Sequence, residues 1–247
     1  MKSERILQQK VAIAVKYFWA TRDGQTKKQS VAGRQDQGAR SAVTGGKQMD
    51  GFVNLIRELI TDCGLSGNCI HTSSHLELPG YFRPEKKWDL LVVDDDVLIA
   101  ATEFKSQIGP SFGNNFNNRT EEAIGTAQDI WTAYREGAFQ VSERPWLGYL
   151  MLLEECPRST SKVSVKQPHF PVFQEFVGAS YAERYQLLMT KLVRERLYDS
   201  SCFLMSSRNA GQKGKYLIPN NDLSFSQFAI SLSGRVTSYV NAKRGGR

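Results

Sequence analysis

The stretch from Trp88 to Lys105, WDLLVVDDDVLIAATEFK, constrains this chain more than any other. Two runs of branched apolar residues flank three aspartates, the pattern of two β-strands joined by a turn and paired as an antiparallel hairpin. With Asp94-Asp95-Asp96 as the turn and Val93 opposite Val97, Asp89 falls opposite Ala101. Side chains alternate along a strand, so Ala101, Glu103 and Lys105 share one face, with Asp89 diagonal to Glu103. Diagonal neighbours lie roughly 7 Å apart, which lets two carboxylates converge on one cation.

Such a pair suits Mg²⁺, a hard cation that takes one or two carboxylates and keeps waters and substrate oxygens in its other positions. Held beside a phosphate, the metal would stabilise developing charge and acidify a water, while Lys105 orients that water, helps to deprotonate it or offsets phosphate charge. The plainer reading has Asp89 and Glu103 in solvent with Lys105 paired to one of them. Against it stands placement: Glu103 and Lys105 follow the apolar run VLIAAT, and buried charge needs a partner or a purpose.

The charge balance asks what partner the chain meets. A net charge of +7 and a pI near 9.2 make a polyanion plausible, since clustered Lys and Arg gain affinity by releasing counterions from a phosphate backbone. At 247 residues the chain can bury a sizeable core unaided, and no apolar run approaches the roughly 20 residues of a membrane span. The opening MKSERILQQKVAIAVKYFWA has charges where a secretory signal needs an apolar core, so a cytoplasmic location is expected. Cys63, Cys69, Cys156 and Cys202 lie too far apart for a Cys-x-x-Cys site and are read as incidental thiols. Gly45-Gly46-Lys47 fails the phosphate-loop pattern, and His71 with His75 sits in a strand-rich setting that argues against zinc.

Apolar spacing predicts a helix over 4–20, followed by a long basic loop over 21–48. A second helix runs from about Met49 to Asp62, with Phe52, Leu55, Ile56, Leu59 and Ile60 on one face. After the hairpin comes an Asn-rich loop, and Asn118 with Glu121 resembles a capping box opening a helix that lasts to about Glu136. WLGYLMLLEE, residues 146–155, reads as a strand buried on both faces in the middle of a covered sheet. A helix from about Tyr181 to Arg196 follows; beyond it the pattern weakens, and the tail AKRGGR is expected to be mobile. The elements predict a single α/β domain with a mixed central β-sheet flanked by helices: a core of about 45–195, an N-terminal helix and basic loop (1–44), and a C-terminal extension (197–247).

An Asp, a hairpin and Glu-x-Lys together resemble the PD-(D/E)xK nuclease core, with Trp88 standing where that name has Pro. The strings MDGF (49–52), LPGYFRP (78–84), GPSFGNNFNNRTEEAIGTAQD (109–129) and PHFPVF (168–173) sharpen the likeness. Together they resemble the XhoI group of type II restriction endonucleases over roughly residues 30–195. The resemblance implies a restriction-endonuclease-like core and Mg²⁺-dependent cleavage of both strands of double-stranded DNA at the palindrome CTCGAG, leaving a 5′ overhang. It makes Asp89 and Glu103 metal ligands and Lys105 the catalytic lysine. It also implies a cognate DNA methyltransferase protecting the same site in the cell.

Nuclease cores of this kind often add an acid from the preceding helix, for which Asp50 and Glu58 are the secondary candidates. Bases are read by Asn and Gln on adenine and by Arg on guanine. Gln107, Ser111, Asn114, Asn115, Asn117, Asn118 and Arg119 follow the catalytic strand and are the candidate readers, the competing role for any one Asn being a cap or a turn. Arg34, Arg40 and Lys47 are read as phosphate or groove contacts. A palindromic target asks for two-fold symmetry, so a homodimer is expected, with Trp131 and Tyr134 marking one possible contact face and core packing the alternative for both. The rival functions are a nuclease of the same core that cuts by DNA structure, or a basic DNA-binding module without activity.

Overall fold

A computed structural model describes residues 2–31, 47–140 and 142–245. Strands β1 (Ile70–His71), β4 (Leu90–Asp94), β5 (Val97–Gln107), β6 (Trp146–Glu154) and β7 (Ser200–Ser206) form one mixed sheet in the order β1-β4-β5-β6-β7. The first three pair antiparallel, and β5-β6-β7 run parallel. Strands β2 (Glu77–Pro79) and β3 (Glu85–Lys87) make a separate antiparallel pair. The unbroken apolar run of β6 is explained by its place between two parallel neighbours, with helices over both faces.

Helices α1 (Lys2–Val31), α2 (Asp50–Asp62) and α5 (Phe225–Gly245) pack with Leu90, Val92, Phe104, Leu150 and Leu204 in one apolar cluster. Helices α3 (Phe112–Arg135) and α4 (Tyr181–Arg194) cover the other face, where Leu91, Ala101, Tyr149, Met151 and Phe203 form a second cluster. This is the mixed α/β layering of a restriction-endonuclease-like core. No helix among the described residues is long and apolar enough to cross a membrane.

The hairpin departs from its expected register in two places. The turn is two residues, Asp95 and Asp96, both at positive φ (47° and 64°), so Asp94 pairs with Val97. A bulge then leaves Ile99 without a partner between the Val92↔Ala100 and Val93↔Leu98 pairs. Each change shifts the register by one, and a shift of two keeps every side chain on its face. Leu90 pairs with Thr102, and continuing that register sets Asp89 across from Glu103, one step closer than the diagonal placement.

Three segments differ from expectation. Helix α1 continues to Val31, so the first third of the expected basic loop is helical; residues 32–46, with Arg34 and Arg40, lie outside the described residues. Helix α3 begins at Phe112 with Ser111 as its N-cap, which places Asn114, Asn115, Asn117 and Asn118 inside a helix instead of a loop. The C-terminal extension contributes β7 to the sheet and α5 to the first cluster. Its tail is not free as far as Gly245: Lys243 reaches Asp94 and Asp95 at 2.6 and 2.8 Å, and Tyr239 donates to Asp94 at 3.1 Å, fastening α5 to the hairpin turn.

Candidate active site

Thr102 and Phe104 point to the first face, so alternation turns Glu103 and Lys105 to the face covered by α3 and α4. The Phe104 N–H donates to Asp89 Oδ2 at 2.8 Å, locking the aspartate where β4 begins. Lys105 Nζ donates to Glu103 Oε2 at 2.6 Å and stands 3.7 Å from Asp89 Oδ2. The structure thus brings Asp89, Glu103 and Lys105 into one cluster. Glu103 is buried to 3% side-chain exposure, while Asp89 stands half open at 42%.

Electrostatics divide the two acids. Burial raises the Asp89 pKa, helped by the nearby Glu103 charge and opposed by Lys105 and the Phe104 N–H. Burial also works against ionised Glu103, but Lys105 and Lys86 override it and hold its carboxyl below the ordinary range. The Lys105 ammonium is likewise disfavoured by burial, yet Glu103 and Asp89 raise its pKa. The cluster therefore holds charge by mutual pairing.

Sequence reasoning missed Lys86. From β3 its ammonium donates to Glu103 Oε1 and to the Lys87 carbonyl (3.0 Å), and it sits 4.5 Å over the Trp88 ring. Trp88, where the nuclease motif it resembles has Pro, is thereby a buried platform, and its backbone N–H donates to the Leu76 carbonyl. The signal lay in the alternation of Lys86 with Trp88 just ahead of Asp89. Also missed was Asp129, which accepts from Tyr81 N–H (2.8 Å), Phe82 N–H (2.9 Å) and Arg83 Nε (2.6 Å), pinning the β2–β3 connection to α3.

The secondary acids do not join the cluster. Glu58 lies on the outer face of α2, paired with Lys10 at 2.8 Å. Asp50 opens α2, its pKa raised by burial against the pull of Lys47. No group of three or more Asp, Glu, His or Cys side chains converges among the described residues. Two carboxylates facing each other do fit a hard cation that fills its other positions with water and phosphate oxygens, provided a lysine yields its place on Glu103.

The candidate readers divide. Asn114, Asn117 and Asn118 are exposed in the first turns of α3, at the spacing that puts them on one helix face. Ser111 is exposed at the cap and Asn115 is half-buried. Arg119 pairs with Glu122 at 2.5 Å and lies near enough to Lys105 to oppose its charge. Gln107 is buried, donating to the Ile108 carbonyl at 3.0 Å, and Lys47 is exposed just ahead of α2. Trp131 is buried, its indole N–H donating to the Leu197 carbonyl, and Arg144 is stacked 4.1 Å from its ring.

The family model for restriction endonuclease XhoI matches residues 28–218. The chain belongs to the XhoI restriction endonuclease family. Within that likeness, it is 54% identical over 212 residues to the type II restriction enzyme BstVI of Geobacillus stearothermophilus, covering 84% of this chain and 95% of that one. Its identity to the type II restriction enzyme AbrI of Azospirillum brasilense is 54% over 164 residues, 66% of this chain and 73% of the relative. To the type II restriction enzyme XhoI of Xanthomonas vasicola it is 48% over 183 residues, 73% of each chain. No solved structure gives a significant match. An XhoI-family type II restriction endonuclease thus carries Asp89, Glu103, Lys105 and Lys86 in one cluster at the edge of the α3-covered face.

Proposed function

We propose that this XhoI-family enzyme hydrolyses both strands of double-stranded DNA at CTCGAG with Mg²⁺, leaving a 5′ overhang. The observation that carries the reading is the convergence of Asp89, Glu103 and Lys105 on one face of the hairpin. Asp89 and Glu103 would hold the metal, which when bound would supply positive charge against the scissile phosphate and favour ionisation of the attacking water. Lys105 orients that water and offsets charge as its oxygen bonds to phosphorus and the bond to the leaving ribose oxygen breaks. Phe104 fixes Asp89 through its N–H, and Lys86 keeps Glu103 ionised before substrate arrives.

Asn114, Asn117 and Asn118 line an exposed face of α3 suited to a major groove, with Ser111 and Arg119 beside them and Lys47 on the phosphates. Gln107 would have to leave its bond to Ile108 to read a base. A homodimer presenting one site to each strand matches a palindromic target. A methyltransferase acting on the same sequence would protect the host DNA in the cytoplasm that holds the enzyme.

The test compares a plasmid carrying one CTCGAG with a twin lacking it, each with Mg²⁺ and with EDTA. Linearisation of the first plasmid alone, and with Mg²⁺ alone, supports activity and target. Cutting of both plasmids alike refutes the target, and cutting of neither refutes the activity.

A further inference from the structure

The carboxylate of Glu103 meets two ammoniums, Lys105 on Oε2 and Lys86 on Oε1, so a metal approaching either oxygen meets a cation already there. Lys105 belongs to the main-sheet strand β5, where it is paired with Met151 of β6, and it also faces Asp89. Lys86 belongs to β3, outside the main sheet, in a pair with β2 only three residues long. Its ammonium keeps two other seats, the Lys87 carbonyl and the Trp88 ring. With a metal on both carboxylates Lys105 would lose Glu103 and Asp89 together, whereas Lys86 would keep the Lys87 carbonyl and the Trp88 ring.

We propose that Lys86 is an internal cation that occupies the metal's place on Glu103 and makes metal binding conditional on the DNA phosphate. The inference rests on Asp89 and Glu103 being the metal ligands. The charges give the reason. Asp89, Glu103, Lys86 and Lys105 sum to zero, so a divalent ion entering alone leaves a crowded site with two net positive charges. A phosphodiester entering with the metal removes part of that excess, and Lys86, displaced towards Trp88, stays within reach of the added anion. Without Lys86 the cluster carries one net negative charge and takes a divalent ion unaided.

The experiment titrates the full chain with Mn²⁺ in the absence of DNA, following free Mn²⁺ by electron paramagnetic resonance. Lys86→Met keeps the aliphatic stem against Trp88 and removes the charge. It should bind Mn²⁺ about tenfold or more tightly than the unaltered chain, the scale of one competing charge at contact distance. Lys86→Arg, which restores a cation, should return towards the original affinity, which a purely structural role for the stem would not produce. Lys86→Gln serves as a second neutral variant should the methionine variant fail to fold. Neutral variants that bind Mn²⁺ no more tightly than the unaltered chain, or that show no binding at all, overturn the proposal. Adding Asp89→Asn to Lys86→Met separates the underlying reading: if the tightened binding survives, the ion sits elsewhere and the assignment of Asp89 and Glu103 as ligands is what fails.

Discussion

Replacing Asp129 by Ala should detach the β2–β3 connection from α3 and destabilise the chain measurably. The carboxylate is 6% exposed and accepts two backbone N–H groups and the Arg83 guanidinium at 2.6–2.9 Å. Each N–H bond to a charged acceptor contributes about 1.5–3 kcal/mol. The half-exposed Arg83 adds less than about 1 kcal/mol. Alanine's better helix propensity returns roughly 0.7 kcal/mol, leaving a net loss of about 2–6 kcal/mol at neutral pH. Burial by itself would raise the Asp129 pKa, but Phe82 N–H, Arg83 and Tyr81 N–H bring it below the ordinary carboxylate range. A group whose folded pKa is depressed contributes fully above its unfolded value, about 4, and loses that contribution as pH falls through the lower folded value. Urea unfolding followed by circular dichroism at pH 7 and again near pH 3 therefore tests both parts. A variant within about 0.5 kcal/mol of the unaltered chain at pH 7, or a difference that does not shrink at the acid pH, would refute the reasoning.

Three further expectations are direct. Glu103→Gln and Lys105→Ala should each lower cleavage about a hundredfold or more while a gel-shift assay still registers DNA binding; retained cleavage would remove either residue from the mechanism. Asn114→Ala, Asn117→Ala and Asn118→Ala should each weaken binding to the target by about 1–3 kcal/mol where the side chain pairs with a base, with binding to unrelated DNA unchanged. Gly80→Ala and Gly148→Ala should destabilise by about 1–3 kcal/mol through overpacking: a Cβ at 80 would lie 2.7 Å from Asp129 Oδ2, and one at 148 2.5 Å from the Trp146 ring, so unaltered melting temperatures would sink the close-packing argument.

Legibility in the sequence followed how local the determining physics is. Strand β6 and helix α4 announced themselves because one apolar run and one apolar stripe fix them. The clustering of Asp89, Glu103 and Lys105 was legible because strand alternation survives a register error of two. The turn and bulge that shifted the hairpin depend on left-handed φ at Asp95 and Asp96 and on packing around Ile99, neither of which a residue count reveals. The Asn-rich stretch read as loop since Asn and Gly have poor helix propensity, yet Phe112 stacks on Tyr181 of α4 and Phe116 meets Tyr185 edge to face, imposing the helix from outside. Helix α5 carried a usable signal in Phe225, Phe228, Ala229, Leu232, Val236 and Val240, obscured by intervening Ser, Thr and Gly. Lys86 was hidden because its role depends on a contact between two separate sheets.

Those contacts also explain why the strings behind the family likeness are longer than the chemistry requires. LPGYFRP and the TAQD end of the Asn-rich string meet at Asp129, where backbone N–H groups of one segment are satisfied by a side chain of the other. Losing the Asp129 carboxylate leaves those N–H groups without their acceptor, and losing Arg83 removes its counter-charge, so the two strings are joined at this point. Within the PHFPVF string, Phe173 lies under Lys191 of α4, which also caps Phe176 and pairs with Glu175. These contacts fasten surface segments to the two helices that cover the face carrying Glu103 and Lys105. The β2–β3 connection runs directly from the Asp129 anchor into Lys86, Trp88 and Asp89, so the anchor sets where Asp89 and Lys86 stand. Loosening it should therefore disturb cleavage before it unfolds the core: Asp129→Asn, which keeps an acceptor for the backbone, should lose activity in proportion to the freedom given to this connection. Full activity in a variant whose connection exchanges amide hydrogens freely would disconnect the anchor from the chemistry.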